Sequence, residues 1–157
     1  MKKLMSLVAL ALVILFSAPA VNAERVPMSV DKMPAQVQRF LNDYYPGQAV
    51  SDSWAKMMRP TTEPMWYRVN LADGTKLQFD LTGNWNNVNA KKSNSSVSID
   101  LLPNDARKVI STEYPNETIK AVKFKKDQYK ITLSNGQKLQ FDKTYGLKVK
   151  KAKKDKK

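Results

Sequence analysis

Tyr67-Arg68-Val69-Asn70-Leu71-Ala72-Asp73-Gly74-Thr75-Lys76-Leu77-Gln78-Phe79-Asp80 returns sixty-two positions later as Tyr129-Lys130-Ile131-Thr132-Leu133-Ser134-Asn135-Gly136-Gln137-Lys138-Leu139-Gln140-Phe141-Asp142. Eight of the fourteen positions are identical, and Val for Ile, Arg for Lys and Asp for Asn are like-for-like exchanges. Tyr67, Val69 and Leu71 before the glycine, and Leu77 and Phe79 after it, alternate with polar residues. That is the period of a strand with one buried face. A two-residue Asp73-Gly74 turn would set Val69 against Gln78 and mix the faces. A three-residue loop, Ala72-Asp73-Gly74 with Gly74 left-handed, sets Val69 against Leu77 and Tyr67 against Phe79, so every apolar residue shares one side. By the same rule Ile131 meets Leu139 and Tyr129 meets Phe141. The stretch predicts a duplicated β-hairpin.

The duplication reaches further back. Met33-Pro34 and Tyr45-Pro46 match Leu102-Pro103 and Tyr114-Pro115 at a common offset of sixty-nine. Between these markers, Val37, Phe40, Leu41 and Tyr44, and then Ala106, Val109, Ile110 and Tyr114, form the stripe of an amphipathic helix. A strand is expected between each helix and its hairpin, with Val122 and Phe124 alternating with Lys123 and Lys125 in the second copy. Another should follow each hairpin. The Leu81-Thr82-Gly83 turn sets Trp85 opposite Phe79, and the matching Lys143-Thr144-Tyr145-Gly146 turn is one residue longer. Trp85, Phe79 and Phe141 are assigned to the core. The first copy carries seven extra residues around Met57–Trp66, where Pro60 and Pro64 predict a protruding loop. The expected fold class is α+β: two tandem repeats, each a helix packed on an antiparallel sheet of about four strands, forming one extended sheet.

Residues 1–23 read as a signal peptide: Lys2 and Lys3, an apolar run from Leu4 to Phe16, and small residues ending at Ala23. Residues 24–90 form the first repeat with an N-terminal lead-in, 91–98 a polar linker, 99–147 the second repeat, and 148–157 a disordered Lys-rich tail. That tail holds seven lysines and one aspartate in a chain of formal net charge +13. The expected location is periplasmic or secreted. With no cysteine the exported chain is held together by packing rather than disulfides.

The chain also has no histidine. Without histidine or cysteine it lacks the usual general base near neutral pH, a thiolate nucleophile and the common zinc ligands. Asp80 and Asp142, at matching hairpin ends, read as turn-starting aspartates that bind their own backbone, not as a catalytic pair. Asp80–Asn86 lacks the ligand pattern of a helix–loop–helix calcium loop, and no Gly-rich phosphate loop is present. No enzymatic activity, cofactor or metal is expected, and no nucleic acid partner.

The hairpin register turns Arg68, Asn70, Lys76 and Gln78 away from the helix, with Lys130, Thr132, Lys138 and Gln140 in the second copy and Lys123 and Lys125 from the strand before it. Candidate binding residues are therefore Arg68, Lys76, Lys123, Lys125, Lys130 and Lys138 on that face, with Met58, Met65 and Trp66 from the predicted loop at its border.

A Leu/Met-Pro start, a short helix ending Tyr-Pro, then Tyr-x-Val-x-Leu-x-Asp/Asn-Gly-x-x-Leu-x-Phe-Asp and Gly-Asn-Trp: together, from Met33 to about Val149, these resemble the PepSY-like, beta-lactamase-inhibitor-like exported proteins. The resemblance implies tandem α+β units whose strands join into one long curved sheet with the helices on one side, and a binding or inhibitory role. The chain lacks the disulfides of the secreted beta-lactamase inhibitors, and PepSY domains proper are associated with restraining peptidases. The expected function is a non-enzymatic exported binding protein, an inhibitor of a peptidase or beta-lactamase class partner in the envelope. The alternative is a cationic protein held to anionic lipid or glycan by its tail.

Overall fold

The computed structural model describes residues 23–90, 92–142 and 146–148; the predicted signal peptide through Asn22 and the tail beyond Lys148 lie outside them. The described residues form a two-layer α+β fold. Nine antiparallel strands follow one another in simple sequence order, β1 (Glu24–Pro27), β2 (Val50–Met58), β3 (Glu63–Leu71), β4 (Thr75–Phe79), β5 (Trp85–Ala90), β6 (Ile119–Lys125), β7 (Gln128–Leu133), β8 (Lys138–Asp142) and β9 (Gly146–Lys148). Helix α1 (Ala35–Tyr44) lies between β1 and β2, and α2 (Asn104–Glu113) between β5 and β6. Short 3-10 turns precede both helices.

Both hairpins take the three-residue loop. Val69 pairs with Leu77 and Tyr67 with Phe79; Ile131 pairs with Leu139 and Tyr129 with Phe141. Gly74 and Gly136 have φ of +87° and +82°, a conformation that a side chain disfavours. Each donates its N–H back to the leucine that ends the preceding strand, Leu71 at 2.9 Å and Leu133 at 3.0 Å. Asp73 and Asn135 lock the loops by accepting the N–H two residues on.

This register joins the two halves into one apolar surface. Val69, Leu77, Val88, Val122, Ile131 and Leu139 follow one another across six strands, and none is more than 1% exposed. Val37 and Phe40 of α1 and Ala106 and Ile110 of α2 belong to the same core cluster, so both helices lie on that side. The Phe40 ring meets Phe79 edge-on at 5.3 Å.

Four expectations need correction. Residues 24–32 are more than a lead-in: Glu24–Pro27 adds an edge strand paired to β2, and Glu24 forms an ion pair with Arg59. The Met57–Trp66 segment is no protruding loop. Strands β2 and β3 run on to Met58 and from Glu63, so most of the extra length is extra strand. Pro64 is tolerated because it pairs with Met57 at a break in register, where the ladder is already interrupted. Gly146 does not end a longer turn: it opens β9 opposite Asp142, and residues 143–145 before it lie outside the described set. Trp85 pairs with Phe79 as expected but is only half-buried, unlike Phe79 and Phe141.

Candidate functional site

The sheet face turned away from the helices is built by the odd-even alternation that buries the other. Along β3 the burial alternates residue by residue from Trp66 to Leu71, with Trp66, Arg68 and Asn70 half-exposed between buried neighbours. Strand pairing then carries a register line across the face: Trp54, Arg68, Gln78, Asn87, Lys123, Lys130 and Gln140 lie opposite one another in turn from β2 to β8. A second line runs Asp52, Asn70, Lys76, Asn89, Ala121, Thr132 and Lys138.

Cations dominate this face. Arg25, Lys56, Arg68, Lys76, Lys123, Lys125, Lys130 and Lys138 stand on it, against Asp52, Glu63 and, by register, Asp142 at its rim. Two pairs place like charges directly across from each other, Arg25 with Lys56 and Lys123 with Lys130. Such cross-strand pairs destabilise a sheet. The polar residues between them, Asn70, Gln78, Asn87 and Asn89, carry no charge to offset them.

At the β1–β3 end the face becomes aromatic. The Trp54 and Trp66 rings lie 4.9 Å apart, with the Arg25 guanidinium 4.7 Å from the Trp54 centroid and that of Arg68 5.7 Å from Trp54 and 5.5 Å from Trp66. Trp66 thus belongs to the open face itself, beside Arg68. Met58 and Met65, 40% and 38% exposed, stand at the far end of β2 and β3. Lys125, at the end of β6, marks the other border. It lines a hollow of about 290 Å³ with Gln78, Asn87 and Lys123, and also a cleft of about 740 Å³ on the helix side. That cleft is walled by Phe40, Tyr44, Trp85, Phe124 and Tyr129. Sequence reading missed Arg25 and Trp54. Their only signal was the chemistry of an arginine and a tryptophan, since their position depends on β1 and β2 pairing with β3.

Asp80 behaves as a turn residue. Its Oδ1 accepts the N–H groups of Thr82 and Asn84, each at 2.9 Å, and the Thr82 hydroxyl at 2.7 Å. Burial works to raise its carboxyl, but these hydrogen bonds outweigh it and hold Asp80 below the usual carboxylate range. Asp142 ends β8, and its turn lies outside the described residues. Among the described residues no group of three or more acidic, histidine or cysteine side chains is arranged to hold a metal, and no helix is long and apolar enough to cross a membrane.

No curated protein matches the chain. Solved structures do, among them three periplasmic proteins. A putative calcium-regulated periplasmic protein from Bacteroides thetaiotaomicron aligns with a TM-score of 0.70 and 27% identity, over 79% of this chain and 94% of that one. A putative periplasmic protein from Bacteroides vulgatus aligns at 0.68 and 28% over 80% and 94%. Another from the same species, described as of unknown function, shares the fold at 0.68 and 24% over 80% and 97%. The family described as "Putative beta-lactamase-inhibitor-like, PepSY-like" matches residues 65–149. That match runs from within β3 through β9, more than half of the chain, and on that ground the chain belongs to the PepSY-like family.

Proposed function

We propose that this chain is a non-enzymatic binding protein of the periplasm, which docks an acidic protein surface on the open face of its sheet and inhibits that partner, a peptidase or a beta-lactamase class enzyme. The observation that carries the reading is the two like-charge cross-strand pairs, Arg25 with Lys56 and Lys123 with Lys130, on a face with eight cations and three acids. A sheet that only had to be soluble would mix its signs. Retaining repulsion at two places on one face fits a surface that meets negative charge, which speeds encounter and excludes other partners. The Trp54–Trp66 end supplies the aromatic and arginine chemistry that anchors protein interfaces. Periplasmic residence accords with the signal-like start and with how the similar structures are described. The two halves, each a helix followed by four strands, are read as a tandem duplication, which repeats the cations at equivalent places.

The test is to capture the partner from envelope extract and measure its kinetics against variants. Lys76→Glu with Lys138→Glu is expected to slow association roughly tenfold at low salt, and Trp66→Ala to speed dissociation, both with folding intact. A partner that binds all of these as wild type docks elsewhere. The alternative, attachment through the seven-lysine tail, is read in the same preparation: removing residues 148–157 would abolish binding to anionic vesicles while leaving the partner kinetics unchanged.

A further inference from the structure

We propose that Arg25 and Arg68, stacked on the tryptophan pair, form a clamp for a carboxylate on an acidic side chain of the docking partner. The inference rests on the open-face reading and specifies the chemistry that face recognises. Arg25 lies over Trp54, while Arg68 lies within 6 Å of both indoles. Stacking fixes the plane of a guanidinium and leaves the N–H groups along its edge for a ligand.

Those edges are under-used. Arg68 donates through Nη2 to Gln78 Oε1 at 2.9 Å, but its Nε is buried without a partner. Among the described residues the ion pairs are Arg59 with Glu24 and Arg107 with Asp100, so neither Arg25 nor Arg68 has a carboxylate partner. The two acids nearest in register are already engaged, Glu24 by Arg59 and Asp52 by the Asn70 amide. Burial, and after it the charge of Arg25, pushes the Arg68 guanidinium down from its usual value, with Asp52 opposing. Two cations sharing one indole are costly in the free protein, and an anion beside them relieves that cost. A carboxylate fits best: its flat two-oxygen fork accepts neighbouring N–H groups of a guanidinium. The indoles offer apolar walls to the aliphatic stem behind it. A tetrahedral oxyanion would meet the charge and waste the walls.

The test follows the indole N–H resonances of Trp54 and Trp66 while the protein is titrated at low ionic strength with acetyl-tetraglutamate amide. Both signals are expected to move saturably. Arg25→Gln with Arg68→Gln should weaken the peptide about tenfold or more, as should Arg68→Lys, which keeps the charge and loses the fork. Lys108→Gln, on the exposed side of helix α2, should change affinity by less than about twofold. The corresponding tetraglutamine peptide should leave the indoles unmoved, and inorganic phosphate should bind about tenfold more weakly than tetraglutamate. A dispersed spectrum shows that each variant is folded. Unmoved indoles with tetraglutamate overturn the clamp, as do arginine variants that bind like wild type, or phosphate that matches the peptide. If the clamp fails while Lys76→Glu with Lys138→Glu still slows the partner, the carboxylate assignment falls and the docking face stands. The reverse pattern removes the face and leaves the carboxylate chemistry.

Discussion

Gly136 separates backbone strain from packing. It sits at φ +82°, and a Cβ built there would meet nothing within 4 Å. Gly136→Ala should therefore lower stability by about 1 kcal/mol through left-handed strain alone. Urea unfolding of the variant checks this, and an unchanged midpoint would mean that the three-residue loop is not what sets the second hairpin. Tyr45 gives a pH signature. Its hydroxyl is buried without a partner, and burial, then the negative charge of Asp73, pushes it up from 10.0 to about 12. Because the folded form resists ionisation, this contribution is complete below about pH 10 and is lost as pH rises towards 12. Tyr45→Phe should remove that part of the alkaline loss, visible as a flatter stability curve between pH 10 and 12, without lowering stability at neutral pH.

Strands β6 and β7 show what the open face costs the fold. Their connection is a two-residue turn in which Lys126 and Asp127 have φ of +52° and +56°, the tight form that suits the twist of a hairpin. Just behind it Lys123 faces Lys130. Lys130→Glu would turn repulsion into attraction and should raise stability by about 0.5 kcal/mol, while slowing partner association. Thermal melts paired with association rates check this trade-off, and a variant that gains stability with no loss of rate would remove function as the reason for the pair. The inner register of these elements was legible from sequence, because one alternation and one glycine per hairpin leave a single pairing that buries Val69, Leu77, Ile131 and Leu139 together. The β1 and β2 part of the open face was not. Glu24–Pro27 is too short to show a period, and Ser51-Asp52-Ser53 before Trp54 hides the alternation of β2. Pro64 reads locally as a breaker but lies where a bulge already relaxes the ladder. What decides these segments is pairing with β3, which is tertiary information.

Across the described residues, the two sides of the sheet differ in chemistry. One face of the nine-stranded sheet carries both helices and the shared core; the other carries cations on most of its strands, with two tryptophans at one end. The β5–β6 pairing makes that face continuous from β1 to β9, the length that the proposed docking of a protein surface requires. On the proposed reading the partner covers this side and not the helical one. Lysine acetylation footprinting of free and partner-bound protein tests it most directly, because exposed lysines stand on both sides. Lys123, Lys130 and Lys138 on the open face, and Lys32 and Lys108 on the helical side, are all exposed. Protection of Lys123, Lys130 and Lys138 in the complex, with Lys32 and Lys108 labelled as in the free protein, is the predicted result. Protection of Lys32 and Lys108 with the sheet lysines still reactive would contradict it.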